Sequence, residues 1–296
     1  MIPVSVSSRF LYELTTIPNF SERVFCILQQ TTISENVGVI ERKLELLQKI
    51  CQILKEDPAV LCVLGLILAI GNYMNGGNRT RGQADGFALD ILPKLKDVKS
   101  NDNSRNLLSY IVSYYLRHFD ENAGKEESTF ILPEPQDLFQ ASQMKFDDFV
   151  KDLRKLKKDL LACEVEACKV GQKSLEEHLQ PFKDNMEAFI SKAKIEHEKL
   201  EKKLTEVHGR FLETAAYFCV KPKIGEKEVS PGSFFSIWHE FSSDFKDCWK
   251  KQSRLILQER LKEAEDVYKK KKEKTSIIVK PKHESGIKAK LSLLTQ

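Results

Sequence analysis

Two hydrophobic seams with heptad spacing constrain the fold of this 296-residue chain more than any other feature. The first advances by alternate steps of four and three residues, and its members are Phe149, Leu153, Leu156, Leu160, Cys163, Ala167 and Val170. The second spans roughly 33 residues, or about 50 Å of helix, and its members are Met186, Phe189, Ala193, His197, Leu200, Leu204, Val207, Phe211, Thr214 and Phe218. Because such seams must be buried against other helices, they predict an all-α fold with a coiled-coil-like region. Pro181, between the seams, is expected to interrupt or restart the helix.

Apolar spacing before the seams predicts further helices. Residues 9–56 are interpreted as several short helices, with start signals at Pro18–Ser21 and at Ser34-Glu35-Asn36. Asp57-Pro58 opens a helix that is apolar nearly all round, which predicts a position in the middle of the fold. Residues 71–77 are rich in Gly and Asn, which tolerate positive φ and are expected to end this helix.

The remaining pattern completes a helical rod. A short apolar element is predicted at Phe87–Leu95, a helix at Leu107–Phe119 and a linker at Asp120–Gln136. An aromatic helical face that must be buried follows, and its members are Phe234, Phe235, Ile237, Trp238, Phe241, Phe245 and Trp249. A charged helix to Lys272 and a loose stretch end the chain, so the predicted architecture is an elongated all-helical body with a tail.

Charge is distributed unevenly along the chain. The net charge is +4, yet from Lys250 onward there are 14 Lys/Arg against 6 Asp/Glu, while the remainder has 33 against 37. The basic tail therefore predicts an acidic partner.

The longest apolar run, Leu61–Ile70, is too short to span a bilayer, and Met1–Ser5 shows no secretory signal. Seven scattered cysteines favour a reducing compartment, so a cytoplasmic location is expected.

Motifs that would support catalysis are incomplete. The segment Gly77–Gly82 resembles the start of a phosphate loop but lacks the required Lys-Ser/Thr. His197–Glu201 begins like a zinc-protease helix but ends in Glu where the second histidine belongs. Cys163 and Cys168 have no matching second pair, and His197 is interpreted as a packing residue. We expect neither an enzyme nor a metal or cofactor site.

Three consecutive motifs carry a specific resemblance. They are Gly71–Asn75 (GNYMN), Arg81–Leu89 (RGQADGFAL) and Leu92–Ser100 (LPKLKDVKS). Their order and spacing resemble the signature of formin homology 2 domains, and the details are most similar to the group of formin-1, formin-2 and cappuccino. The resemblance covers roughly Arg9 to Lys262. It implies a rod made of lasso, linker, knob, three-helix coiled-coil region and post.

The resemblance also implies functional sites. In this family, two copies form a head-to-tail ring in which the lasso of one subunit encircles the post of the other, and the positions that match the acceptor side are Gly71, Asn72, Tyr73, Met74, Asn75, Gly86, Phe87 and Leu89. A plain helix end with turn asparagines is the alternative interpretation of the first motif. Lys99 matches a family lysine that contacts actin, whereas Lys94 and Lys96 are interpreted as a solvated charged face.

The extent of the resemblance divides the chain in two. Residues 1–262 are expected to be a partial formin homology 2 domain with a knob remnant, the coiled-coil region and the post, and residues 263–296 to be a partly disordered basic tail. The family's lasso, linker and most of the knob would lie upstream of Met1. We therefore expect the chain alone to form no closed ring and to nucleate actin poorly.

The resemblance suggests a function by binding alone. The domain would support actin filament nucleation, elongation and barbed-end binding in a full-length protein located at the actin cytoskeleton, at cell junctions or in the nucleus. The alternative is a truncated helical adaptor that binds other formins or Spire without nucleating actin. The implied partners are actin, other formin homology 2 subunits and, through the full-length protein, profilin-actin.

The tail carries its own prediction. In the group that this chain resembles, a short basic tail binds the acidic KIND domain of Spire nucleators, and the residues that suit this role are Lys280, Lys282, Ile287, Lys288, Lys290 and Leu291. A disordered solubilising tail is the alternative. Anionic lipid or nucleic acid could also attract it, although no nucleic-acid partner is expected.

Overall fold

The computed structural model describes residues 6–76, 78, 80, 83–173 and 176–278. These residues form eight α-helices and one 3₁₀ helix, with no strand, which confirms the predicted all-α class. The elements are α1 (Val6–Thr15), α2 (Phe20–Glu56), α3 (Pro58–Met74), the 3₁₀ helix (Leu89–Lys96), α4 (Leu107–His118), α5 (Pro135–Ser142), α6 (Phe146–Lys173), α7 (Glu176–Tyr217) and α8 (Pro231–Ile278).

Helices α2, α6 and α7 pack against one another as a three-helix bundle. The α6 seam is buried as predicted, with Ala167 only partly covered. On α7 the predicted seam is wrong at one position, because Ile190 is buried where Phe189 was expected. With Ile190 the steps alternate four and three from Met186 to Thr214, which is the spacing that keeps a seam on one face.

Residues 20–56 form one continuous helix rather than several short ones. The expected start at Ser34 is wrong, because its hydroxyl donates to the Gln30 carbonyl oxygen one turn earlier (2.8 Å) instead of capping a helix. No proline interrupts the segment, and its buried residues supply the third seam of the bundle: Ile33, Val37, Ile40, Leu44, Leu47, Cys51 and Leu54. Pro181 likewise lies inside α7 and does not restart it.

The first half of α8 is the centre of a second helical cluster. Helices α4 and α5 and the 3₁₀ helix pack around it. Its aromatic face is buried as predicted, with Phe234, Phe235, Trp238, Phe241 and Phe245 all fully inaccessible. Beyond Ile256 the helix continues as one piece to Ile278, and it passes without a break through the predicted domain boundary at residue 262.

The connection between α7 and α8 joins the two parts. Cys219 adopts the left-handed region (φ 55°), and the amides of Cys219 and Val220 donate to the carbonyls of Ala216 and Ala215. This pattern is a Schellman motif, which ends α7 and reverses the chain. A second turn follows, in which the amide of Glu226 donates to the carbonyl of Lys223 (2.9 Å) and Gly225 has a φ of 91°.

No helix among the described residues is long and apolar enough to cross a membrane. The predicted tail residues Lys280, Lys282, Ile287, Lys288, Lys290 and Leu291 lie outside the described part of the chain.

We predict that the aromatic face of α8 carries much of the stability. Phe241 is fully buried and its ring lies 5.6 Å from that of Phe245. Phe241→Ala should therefore lower the free energy of unfolding by about 3–5 kcal/mol, because it removes a buried ring and leaves a cavity. Leu261→Ala is the control on the same helix, since Leu261 is largely exposed and should change the value by less than about 0.5 kcal/mol. Urea unfolding followed by circular dichroism measures both, and equal effects would contradict the prediction.

Candidate functional site: an apolar groove beside Lys99

Helix α3 is the element whose observed burial differs most from the burial that its sequence predicts. Its apolar composition predicts a fully buried helix, but only Val60, Val63 and Ile67 are buried. The prediction of a central position is wrong, because α3 packs mainly on α2 and α4 and leaves residues on its outer side, such as Leu61, exposed. An apolar helical face left open to solvent is a common mark of an interaction site.

The open side of α3 forms one wall of a groove with a volume of about 600 Å³. Leu66, Ile70 and Tyr73 line it from α3, and Tyr110 and Tyr114 line it from α4. The tyrosines are accessible, with 87% of Tyr73 and 49% of Tyr110 exposed. The groove can therefore accept an apolar or aromatic side chain from a partner, while the tyrosine hydroxyls remain at its edge.

A short hairpin closes one end of the groove and positions Lys99. The amide of Leu107 donates to the carbonyl of Val98 (2.8 Å), and the amide of Ser100 donates to the carbonyl of Arg105 (2.9 Å). Lys99 therefore sits between two backbone hydrogen bonds, opposite Asn106. Hydrogen bonds from Ser100 and Ser104 hold the pKa of Asp102, at the hairpin tip, at about 2. Val98, Lys99 and Arg105 all contribute to the groove wall.

The three lysines of this region differ in their ion pairs. Lys94 pairs with Asp90 of the same helix (2.8 Å) and is exposed, as expected for a solvated face. Lys96 departs from that expectation, because it pairs with Glu240 (3.0 Å) and Asp244 (2.8 Å) of α8. These two carboxylates raise the pKa of Lys96 and fasten the 3₁₀ helix to α8.

Lys99, by contrast, is exposed and has no carboxylate partner within ion-pair distance among the described residues. Its ammonium group is therefore available to a partner that occupies the groove.

The asparagines of the first motif bind main-chain groups of this chain itself. Asn72 makes two hydrogen bonds to Ala84: its amide nitrogen donates to the carbonyl (3.0 Å), and its side-chain oxygen accepts from the backbone amide (2.8 Å). Asn75 donates through both its backbone and its side chain to the carbonyl of Gly71 (3.1 and 2.9 Å). Helix α3 thus ends through a side-chain cap, and the expected positive φ is not found at Gly71, Asn72, Asn75 or Gly76.

The other predicted acceptor residues have different surroundings. Tyr73 and Met74 line the groove directly. A Cβ built on Gly71 or Gly86 would meet no atom within 4 Å, and neither glycine has a positive φ. No contact among the described residues therefore requires glycine at these positions, which is consistent with close approach by an external backbone. Phe87 packs partly against the core, and Leu89 is buried and supports the 3₁₀ helix from within.

Sequence reasoning missed the α4 wall of the groove. Tyr110 and Tyr114 are one turn apart and half exposed, with ring centroids 6.3 Å apart. Their spacing could have revealed them, because an aromatic pair at i and i+4 on a helix shares one face. Arg105 was also missed, since only the hairpin brings it to the groove. Among the described residues, no group of three His, Cys, Asp or Glu side chains is arranged to hold a metal ion.

Comparison with known proteins decides the family. The family model for the Formin Homology 2 Domain matches residues 1–246, which include the groove and its hairpin. The chain belongs to the formin homology 2 family.

Individual formins are similar over most of this chain. Human Formin-2 is 72% identical over 287 residues, which cover 97% of the chain and 17% of Formin-2. Human Formin-1 is 53% identical over 258 residues, covering 87% of the chain and 18% of that protein. The Drosophila melanogaster protein cappuccino is 39% identical over 267 residues, covering 89% of the chain and 25% of its own length. The chain thus spans a quarter or less of each of these relatives.

Proposed function

We propose that this chain is the actin-binding part of a formin, acting by binding rather than catalysis to support filament nucleation, elongation and barbed-end binding. Membership of the formin homology 2 family carries the proposal. The groove supports it further, because it offers an apolar binding surface with an available cation at its edge.

The groove is proposed as the acceptor for the lasso of another formin homology 2 subunit. Tyr73, Met74, Tyr110 and Tyr114 supply accessible apolar surface, and the open space beside Gly71 admits a second backbone. Aromatic residues at the centre of an interface commonly dominate its binding energy. Asn72 and Asn75 do not face the groove, but their hydrogen bonds would stabilise the backbone at the end of α3 beside it.

The role of Lys99 is proposed as a contact with actin. Its backbone is fixed by the hairpin, and its side chain has no internal ion pair among the described residues. A cation at the edge of an interface mainly accelerates association with an acidic surface.

We predict that Lys99→Ala weakens actin binding several-fold at low ionic strength and less at high salt, because salt screens exposed charges. Co-sedimentation with filaments and a pyrene-actin assay measure the effect. Lys94→Ala is the matched control, since Lys94 is exposed, lies in the same region and pairs only within its own helix. Equal losses in the two variants would show that general positive charge, rather than Lys99, is responsible.

We also predict that Tyr73→Ala reduces capture of a longer formin homology 2 protein. The loss should be at least about tenfold, corresponding to about 1.4 kcal/mol, because Tyr73 is the most exposed aromatic residue of the groove. Co-precipitation from purified components measures it. Tyr268→Ala is the control, since Tyr268 is 70% exposed on α8, away from the groove, and should bind as the unaltered chain does. Capture that Tyr73→Ala leaves unchanged would exclude the groove as acceptor, even if actin binding is intact.

The basic tail is proposed as a separate site for an acidic partner, in particular the KIND domain of Spire, with profilin-actin recruited only through a full-length protein. The exposed lysines 269, 270 and 272 lead into it. We predict that a chain ending at residue 278 loses Spire binding while it keeps its helical content and its capture by other formins. Binding by fluorescence anisotropy measures this, and undiminished affinity would exclude the tail.

A further inference from the structure

Two buried cysteines lie opposite each other where α2 meets α6. Cys26 and Cys163 are 137 residues apart in sequence and both are fully inaccessible. The sulfur of Cys26 lies 3.7 Å from the carbonyl oxygen of Cys163, and the sulfur of Cys163 lies 4.0 Å from the carbonyl oxygen of Cys26. Each sulfur therefore contacts the backbone of the other residue, so the two cysteines are direct neighbours across the interface between α2 and α6.

A cleft between the same two helices lies directly beside the pair. It has a volume of about 630 Å³, and Glu22 and Phe25 line it from α2, whereas Ala162 and Glu166 line it from α6. These residues flank Cys26 and Cys163 in sequence, so the cysteines lie beneath the cleft. Neither cysteine lines the cleft itself, so a small oxidant reaches the sulfurs when α2 and α6 separate locally beside it.

We propose that Cys26 and Cys163 are a redox modification site at which hydrogen peroxide forms a disulfide between α2 and α6. Burial raises the pKa of the Cys26 thiol to about 12 and also raises that of Cys163. Few thiolates are therefore present at neutral pH, and the reaction is slow compared with that of an exposed reactive cysteine.

The chemistry proceeds in two displacements. Burial raises the pKa of both thiols, but the neighbouring Cys26 side chain partly offsets the rise in the pKa of Cys163, so Cys163 supplies the first thiolate. This thiolate attacks one peroxide oxygen, the O–O bond breaks, and the departing hydroxide takes up the proton that Cys163 lost. The Cys26 sulfur then displaces water from the sulfenic acid as the S–S bond forms. The two thiols lose two protons and two electrons in total, and the peroxide takes these up and is reduced to two waters.

The disulfide would fasten the bundle near the start of α2. A link between residues so distant in sequence restricts the unfolded chain strongly and raises the denaturation midpoint. It would also restrict movement of α2 relative to α6 at this point of the bundle. This inference concerns the bundle and does not depend on the proposed function of the groove.

Peptide mapping tests the proposal on the complete chain. The chain is treated with hydrogen peroxide, its remaining thiols are alkylated, and it is digested without reduction. The expected product is one linked peptide pair containing Cys26 and Cys163, lighter than the two reduced peptides by two hydrogens and separated by dithiothreitol. Recovery of Cys26 and Cys163 as alkylated thiols, while the exposed Cys168 and Cys219 are oxidised, would overturn the proposal.

Two variants separate this pair from general oxidation. Cys51→Ala is the matched control, because Cys51 is also buried on α2 but lies near Thr214 rather than near a second cysteine. It should keep both the linked peptide and the peroxide-induced rise in denaturation midpoint, whereas Cys26→Ala should lose both. An equal rise in Cys26→Ala would contradict the assignment. If Cys26→Ala does not fold, the peptide map of the unaltered chain still decides.

Discussion

Phe211 of α7 lies at the junction on which the rest of the structure depends. Its ring lies 5.5 Å from that of Phe146 on α6, and 5.8 and 5.6 Å from those of Phe234 and Phe235 on α8. All but Phe146 are fully buried, and such aromatic contacts combine a large buried area with specific ring geometry. This cluster joins the three-helix bundle to the helices around α8. The groove depends on the same junction, because α3 packs on α2 of the bundle whereas α4 packs on α8.

The two walls of the groove thus belong to different parts of the fold. Lys96 supports the wall on the α4 side, since its two ion pairs fasten the 3₁₀ helix to α8 close to the hairpin that carries Lys99. Such partly exposed pairs contribute little to stability individually, and here they add to the buried Leu89, Leu92 and Leu95, which already hold the 3₁₀ helix in place. A groove positioned in this way is largely formed before a partner arrives, which reduces the ordering cost of binding.

Much of this fold follows from the sequence, and the exceptions have physical reasons. Periodicity located the bundle helices and the buried face of α8, because a seam must be covered wherever it lies. It misplaced the divisions within residues 9–56, since Ser34 can bond within a helix as well as cap one. It also predicted complete burial for α3. Composition shows that a helix is apolar, but it does not show whether the covering surface comes from this chain or from another.

The candidate site was predictable only in part for the same reason. The motif at Gly71–Asn75 marked one wall of the groove through its resemblance to a family, and Tyr73, Met74 and Lys99 do lie together at the groove. Tyr110, Tyr114 and Arg105 reach it only through the packing of α4 and the hairpin, which no local pattern encodes. The internal hydrogen bonds of Asn72 and Asn75 likewise required the structure.

The central claim is that the groove between α3 and α4 receives a segment of another formin homology 2 protein. Photo-crosslinking from within the groove tests it most directly, with a benzoyl-phenylalanine placed at position 110 in one experiment and at position 268 of α8 in another. In the presence of a longer formin homology 2 protein, the account predicts an adduct from position 110 that maps to one segment of the partner, and little from position 268. An adduct from position 268 alone, under conditions in which the two proteins bind, would contradict it.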